Sequence, residues 1–296
     1  QKLQAGIAGN AAPDLVLLNV ETARSLDNKG LLTDMSTMIE ADAEFQPEDY
    51  LKVFYDQGVD EEGKVFGLPA YGTTQVMYYN MAAFEAAGVK AVDIRTWADL
   101  ADAAQKIKDA GYDYGWEPMW GADNMIDAAF SNGASIFNED GTQVTINTPE
   151  WVEVWEAFRT WIHEDKTMAI HSGGQGWEYW YATIDDVIAG KAGGYTGSSG
   201  DQADLDFGIV AAMEQPAWSD STTSAPMAET KTLSIIGSST EAEQQGAFEF
   251  IKYFTNAESQ AKWTMSTGYV AVNQKINDNA EYQAYVAENP QAAVPF

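Results

Sequence analysis

Hydrophobic and polar positions alternate along the chain between short apolar runs and longer stretches with helical periodicity. The first ten residues have the pattern of a helix end and a turn, and the apolar run DLVLLNV (14–20) that follows predicts a buried parallel strand. Residues 66–72 and 74–80 predict two further strands, after a hairpin turn at DEEGK, residues 60–64. Because strands alternate with helices throughout, we expect an α/β fold.

Three helices are marked by signals at their ends. The segment MAAFEAAG predicts a short helix that ends at Gly88. The segment TWADLADAAQKIKDAG begins with Thr96, followed three residues later by Asp99, which predicts a capping box ahead of a long helix. Thr240 and Glu243 repeat that arrangement before a second long helix.

Aromatic residues at helical spacing indicate faces that pack into a core. A further helix begins after Thr148, with Pro149 at its first position. Between these helical segments, the composition of residues 215–231 is typical of a surface loop. We expect the following side chains to face the core: Trp151, Val154, Trp155, Phe158, Trp161, Ile162, Phe250, Ile251 and Phe254.

The charge of the chain restricts its partners. Forty-five acidic residues against 16 basic ones give a formal net charge of −29, which excludes a nucleic-acid partner and disfavours an anionic membrane surface. The acidity first suggests a saline habitat. The sequence contains no cysteine, no apolar run long enough to span a membrane and no signal peptide. The chain opens in mid-helix, so we expect earlier residues to belong to the natural protein.

No motif in the sequence indicates catalysis. The two histidines, His163 and His171, have no partners at metal-ligand spacing along the chain. The segment TGSSGD lacks the second glycine of a nucleophile elbow, because Asp201 occupies that position. With no phosphate-binding loop either, we expect no catalytic residue, no metal and no cofactor.

Five segments in order along the chain resemble the extracellular solute-binding proteins of bacterial ABC importers, in the group that binds carbohydrates and glycerol 3-phosphate. The segments are LQAGIAGNAAPDLVLLN, GKVFGLPAYGTTQVMYYNMAAFEAAG, TWADLADAAQKI, VIAGKAGGYTGSSGD and AFEFIKYFTNAESQAKWTMSTGYVAV.

The resemblance implies a periplasmic-binding-protein fold of type II, with two α/β lobes joined by hinge strands that close on a ligand. Lobe I would comprise residues 1–75 and 232–266, lacking an N-terminal strand and helix, and lobe II would comprise residues 76–231 and 267–296. The resemblance also implies a monomer that docks on membrane permease subunits. The protein would be periplasmic or extracellular, with a lipoprotein anchor if the organism is Gram-positive.

The expected ligand-binding residues come from the resemblance and from the chemistry of sugar binding, in which aromatic faces stack on CH groups and polar groups bond hydroxyls. The resemblance places Glu229 at the mouth of the cleft. Simpler explanations are hinge packing for Tyr269, turn capping for Asn19 and the two serines, and helix-core packing for the tryptophans of QGWEYWYAT. The full set is Asn19, Tyr71, Thr73, Thr74, Trp120, Trp177, Trp180, Ser198, Ser199, Glu229 and Tyr269.

The ligand class is a choice between neutral and phosphorylated molecules. A phosphate site favours arginine forks, and the three arginines of this chain lie outside the matched segments that would line the cleft. We therefore expect a carbohydrate or polyol. The alternatives are glycerol 3-phosphate or a glycerophosphodiester such as glycerophosphocholine, whose cation an acid and aromatic rings could hold. A carbohydrate-active enzyme and a receptor that feeds a sensor kinase are two further alternatives.

Overall fold

The computed structural model describes residues 2–9, 11–119 and 122–296. The helices are α1 Lys2–Ala8, α2 Val20–Asp27, α3 Ser36–Ala41, α4 Lys52–Tyr55, α5 Met81–Ala87, α6 Trp97–Asp109, α7 Asp123–Ser131, α8 Pro149–Arg159, α9 Glu178–Ile188, α10 Glu241–Thr255, α11 Ala257–Thr267 and α12 Ala280–Glu288. The strands are β1 Leu15–Asn19, β2 Leu68–Asn80, β3 Glu117–Pro118, β4 Gly194–Ser198, β5 Val210–Met213 and β6 Ala228–Ile235. The alternation of strands and helices confirms the α/β class. Within the described ranges, no helix combines the length and apolarity needed to cross a membrane.

The chain divides into two compact units. Unit 1 consists of Gln1–Thr73 and Ala228–Ala292, and unit 2 consists of Thr74–Met227 and Ala293–Phe296. This division differs from the expected lobes mainly at the C-terminus, where most of the segment assigned to lobe II lies in unit 1.

Backbone hydrogen bonds explain why the C-terminal segment belongs to unit 1. Gly72 and Val270 exchange two bonds of 2.8 Å, and the amide of Leu51 donates to the carbonyl of Val272. Val270 and Val272 are buried in the same core as Phe248 of α10. Strand-like pairing between residues so far apart in the chain leaves no signal in local sequence.

The sheet of unit 1 contains β1, β6 and the first part of β2, in that order. β1 pairs with β6 in the antiparallel sense, with Leu15 opposite Ile235 and Asn19 opposite Lys231. The predictions that β1 is parallel and buried are therefore wrong, and Leu17 is 50% exposed. An antiparallel sheet can leave one face in water, which is why an apolar run alone did not identify the strand type.

β2 is one strand of 13 residues, where the sequence predicted two strands separated near Gly72. A Cβ atom at Gly72 would lie 2.2 Å from the ring of Phe54, so glycine is required here by close packing rather than by a turn. The strand continues from unit 1 into unit 2 at Thr73 and Thr74.

In unit 2, the second part of β2 pairs in the antiparallel sense with β4 and β5, and β3 pairs in parallel with β4. The core beside this sheet contains the fully buried rings of Trp97 and Trp116, together with Trp151 and Phe158. The expectation of a core position is wrong for Trp155, which is 49% exposed. In unit 1, Phe250 of α10 is likewise 48% exposed, which also corrects that prediction.

The predicted helix ends and hairpin are confirmed, because they depend on local contacts. Gly88 ends α5 in the left-handed conformation, with φ of 65°. Both capping boxes form, one between Thr96 and Asp99 and one between Thr240 and Glu243. In the hairpin, the amide of Asp60 donates to the carbonyl of Lys64.

The predicted loop over residues 215–231 is only partly correct. Gln215 is 3% exposed, and the last four residues of this segment belong to β6. The amide of Met227 donates to the buried carboxyl of Asp127 at 2.8 Å, which fixes the end of the loop in unit 2. The amino-acid composition of the loop could not predict this hydrogen bond, because its acceptor lies about 100 residues earlier in the chain.

Candidate functional site

Two of the expected ligand-binding residues in unit 1 form an aromatic pair. The rings of Tyr71 and Tyr269 are 4.7 Å apart between centroids, and both residues are partly buried. The strand-like pairing of Gly72 with Val270 brings them together. Burial raises the pKa of Tyr71, so its hydroxyl stays protonated near neutral pH and can both donate and accept a hydrogen bond.

Trp263 extends this pair and was not among the expected residues. Its ring lies 5.3 Å from that of Tyr71, and its indole N–H is buried without a hydrogen-bond partner among the described residues. A buried donor without a partner costs free energy unless something binds it. The matched segment AFEFIKYFTNAESQAKWTMSTGYVAV contains this tryptophan, but no local signal in the sequence singled it out.

Asn19 and Glu229 lie at one end of the unit 1 sheet. Asn19 is exposed, ends β1 and stands opposite Lys231, two residues after the exposed Glu229 on β6. The hydroxyl of Thr230 donates to the carbonyl of Tyr71 at 2.9 Å, so Glu229 is the chain neighbour of a residue that contacts the tyrosine pair. Asn19 makes no side-chain capping bond to α2, which argues against the simpler explanation for it. Thr73 is partly buried at the end of the unit 1 part of β2.

In unit 2, Asp201 organises several of the expected residues. Its carboxylate accepts hydrogen bonds from the indole of Trp180 at 2.9 Å, from the hydroxyl of Tyr195 at 3.1 Å and from the amide of Ser198 at 3.1 Å. Burial raises the pKa of Asp201 to about 7, against the opposing effect of these bonds. In the sequence, Asp201 stood out only because it replaces the second glycine of a nucleophile elbow.

The two tryptophans of QGWEYWYAT differ in exposure. Trp177 is 64% exposed, so helix-core packing does not account for it. Its ring meets that of Trp180 edge-on at 5.9 Å, and Trp180 packs partly against the core of unit 2. The two rings therefore present an aromatic surface beside Asp201.

The serines follow β4, and their surroundings support the capping explanation. The hydroxyl of Ser198 accepts from the amide of Gly200 at 3.0 Å, and Ser199 is fully buried. Gln75 of β2 stands opposite Ser198, which sets Thr74 beside this turn. The side-chain oxygen of Gln75 is buried with no partner among the described residues. Ligand contact by these residues stays a prediction.

Trp120, the remaining expected residue, lies outside the described residues. The other expected residues are divided between the two units. Tyr71, Tyr269, Asn19, Thr73 and Glu229 belong to unit 1, whereas Thr74, Trp177, Trp180, Ser198 and Ser199 belong to unit 2.

One histidine has partners that the sequence did not predict. His171 lies 2.9 Å from a carboxylate oxygen of Asp186 and 3.7 Å from one of Glu117. The prediction that neither histidine has partners at metal-ligand spacing concerned the sequence alone, and these partners come from distant parts of the chain. The three residues are 15 and 54 positions apart in the chain, beyond any short metal-binding motif.

A family model for bacterial extracellular solute-binding proteins matches residues 1–291. The chain belongs to this family. Among curated members, the sn-glycerol-3-phosphate-binding periplasmic protein UgpB of Shigella dysenteriae is 24% identical over 305 residues, covering 99% of this chain and 69% of that protein.

Solved structures of solute-binding proteins share the fold. UgpB from Mycobacterium tuberculosis in complex with glycerophosphocholine superposes with a TM-score of 0.86 at 21% identity, over 99% of this chain and 73% of that one. An ABC substrate-binding protein from Listeria monocytogenes in complex with cycloalternan gives 0.80 at 26% identity, over 99% and 74%. The predicted family and the two-lobed α/β class of solute-binding proteins are confirmed.

Proposed function

We propose that this solute-binding protein is the substrate-binding component of an ABC importer and that its ligand is a carbohydrate or polyol. The observation that carries the ligand class is the aromatic pair Tyr71 and Tyr269, beside which the indole N–H of Trp263 has no hydrogen-bond partner among the described residues. Aromatic rings suit the CH faces of a sugar, and a buried donor suits a hydroxyl.

The positions of the arginines support a neutral ligand over a phosphate. Arg159 pairs with glutamates of its own helical segment at 2.7 and 2.9 Å. Arg95 lies 3.6 Å from Asp220, and Arg24 lies over the ring of Phe66. None of the three joins either group of expected ligand-binding residues, and recognition of phosphate commonly uses such a guanidinium.

A glycerophosphodiester is the second candidate, because two of the matched relatives are glycerol-3-phosphate and glycerophosphocholine binders by name. An exposed acid, Glu229, and the aromatic surface of Trp177 and Trp180 fit a quaternary ammonium group. In that case backbone amides or lysines would have to hold the phosphate.

A thermal-shift screen against sugars, polyols, glycerol 3-phosphate and glycerophosphocholine separates the candidates, since a ligand that binds the folded state raises the Tm. We expect sugars or polyols to raise the Tm, and Tyr71→Ala to reduce that shift by weakening affinity at least about tenfold. Tyr253→Ala, which removes an aromatic side chain that is 67% exposed in the same unit, is the matched control.

The outcomes distinguish the ligand classes. If only glycerol phosphates raise the Tm, the preferred ligand class is wrong. Loss of glycerophosphocholine binding in Glu229→Gln, but not in the turn variant Glu61→Gln, would then locate the cation. Chemical turnover of any sugar in the screen would contradict a pure binding role.

The remaining predictions concern the assembly. The family and its curated periplasmic relatives support a role outside the cytoplasm and a small-molecule ligand, with binding rather than catalysis as the activity. Docking on permease subunits, the monomeric state, lipoprotein anchoring and closure of the lobes on the ligand stay predictions. A receptor that feeds a sensor kinase would bind the same ligand. Transport assays with the ligand found in the screen separate this role from import.

A further inference from the structure

We propose that Glu117, His171 and Asp186 in unit 2 form a binding site for one divalent transition-metal ion of the Zn²⁺ type. Each side chain offers one ligand atom, and the three atoms lie within 4.8 Å of one another. None of the three is among the residues expected to bind the transported solute, and the inference does not depend on the identity of that solute.

Glu117 provides the observation that distinguishes this cluster from a chance group of acids. Its side chain is 0% exposed, and neither carboxylate oxygen has a hydrogen-bond partner among the described residues. A buried carboxyl group without a donor is costly to keep charged, and a bound cation would remove that cost.

The spacing of the ligand atoms suits a small ion. Nε2 of His171 lies 3.7 Å from Oε1 of Glu117 and 2.9 Å from Oδ2 of Asp186. Zinc bonds of about 2.0–2.2 Å in tetrahedral geometry place ligand atoms roughly 3.3–3.6 Å apart. On binding an ion, the two distances to His171 would therefore change by a few tenths of an ångström, and water would complete the coordination.

Two of the three ligands are held by regular structure. Glu117 is in β3, opposite Tyr195 of β4, and Asp186 is in α9. The carbonyl of Asp186 accepts hydrogen bonds from the amides of Lys191 and Ala192, which fixes the end of the helix. The third ligand, His171, is in an irregular segment and its side chain is 37% exposed, which provides access for an ion.

Lys191 is the charged group that competes with a metal. Its ammonium lies 2.8 Å from Oδ1 of Asp186, whereas Oδ2 faces His171. The lysine side chain is 58% exposed, so it can keep its contact with Oδ1 or swing into solvent. Oδ2 therefore remains available as a ligand.

The chemistry of the ligand set selects the metal. Two carboxylates and a neutral imidazole carry a charge of −2, which matches a divalent ion. An imidazole ligand favours Zn²⁺ and similar transition-metal ions over Mg²⁺ and Ca²⁺, which prefer oxygen ligands. The bound ion would join the segment of His171 to α9, and this segment leads within six residues to Trp177.

The test is isothermal titration of chelator-treated protein with ZnCl₂, and with MgCl₂ and CaCl₂ for comparison. We expect one Zn²⁺ per chain and no comparable binding of Mg²⁺ or Ca²⁺. Glu117→Gln and His171→Ala should each weaken Zn²⁺ binding at least about tenfold, as removal of a ligand or its close partner commonly does. His163→Ala, which removes the other histidine, is the matched control and should retain full affinity.

Three results would overturn the proposal. The first is no stoichiometric Zn²⁺ binding by the wild-type chain, which would make Glu117 a protonated acid that bonds Asp186. The second is a loss of Zn²⁺ binding in the His163→Ala control as large as the loss in His171→Ala. The third is unchanged binding in His171→Ala, a half-exposed position where truncation leaves folding intact. Co²⁺ absorption spectra that change in Glu117→Gln would support direct ligation.

Discussion

Asp127 in α7 shows how one buried side chain can set the pH response of unit 2. Its side chain is 0% exposed, and it accepts hydrogen bonds of 2.8 Å from the side-chain amide of Gln215 and the backbone amide of Met227. Burial raises the pKa of Asp127 to about 7, although both bonds oppose the rise. The carboxyl therefore connects α7 to the loop before β6. Its charged form is unfavourable in the folded state, because the group is buried.

Asp127→Asn should change the dependence of stability on pH. The folded-state pKa is above the ordinary value of 3.8, so protonation of Asp127 stabilises the fold fully below about pH 4, and this contribution is lost as the pH rises through about 7. The asparagine stays neutral. The side-chain oxygen of Gln215 lacks a partner among the described residues, and after rotation of this side chain it can accept a hydrogen bond from the side-chain amide of the asparagine. The Tm of the variant minus that of the wild type should therefore rise between pH 4 and pH 7.

Thermal denaturation at several pH values, with Asp220→Asn as the control at a side chain that is 76% exposed, tests this prediction. A constant difference in Tm across that range would show that Asp127 does not bind its proton more tightly in the folded state.

At the scale of elements, local signals were sufficient to predict the ends of several helices but not to predict how the strands pair. A capping box and a left-handed glycine involve neighbours in sequence, so the ends of α5, α6 and α10 could be predicted from the chain alone. The antiparallel partner of β1 lies more than 200 residues away, and no local pattern identifies it.

The candidate site follows the same rule. Tyr71 and Tyr269 could be predicted as ligand-binding candidates, because both lie in segments that resemble the family. The contacts made by Asp201, Trp263 and His171 were not predictable, because they depend on packing between distant segments.

The N-terminal cap of α10 allows an element-level prediction. The hydroxyl of Thr240 accepts from the amide of Glu243, and the carboxylate of Glu243 accepts from the amide of Thr240 at 2.7 Å. Thr240→Ala should lower the free energy of unfolding by about 1 kcal/mol, because an amide in the first turn loses its acceptor. Thr240→Ser keeps the hydroxyl and should lose much less. Urea denaturation measures both, and equal losses would mean that the cap contributes little.

The whole molecule carries a large excess of negative charge. The net charge of −29 is spread over 45 acidic residues, and most ion pairs, such as that of Lys262 with Glu258, are exposed. Exposed pairs contribute little each, so repulsion among the unpaired acids is the larger electrostatic effect at neutral pH.

Salt should therefore stabilise the fold at neutral pH. Raising NaCl to 1 M shortens the screening length to about 3 Å, which suppresses repulsion between exposed acids. We expect the Tm to rise with NaCl at pH 7 and to rise much less near pH 4, close to the isoelectric point of about 4.1. Differential scanning calorimetry at both pH values tests this, and an equal rise at both would identify a general salt effect instead of charge screening.

The discontinuous composition of unit 1 has a consequence for the order in which the protein can fold during synthesis. Thr74–Met227, nearly all of unit 2, leaves the ribosome as one uninterrupted segment. β1 is made early, but its partner β6 follows about 200 residues later. Until then, β1 has an edge without its native neighbour, and such edges promote association with other chains. β1 thus reaches its native pairing only after the long segment of unit 2 has been synthesised.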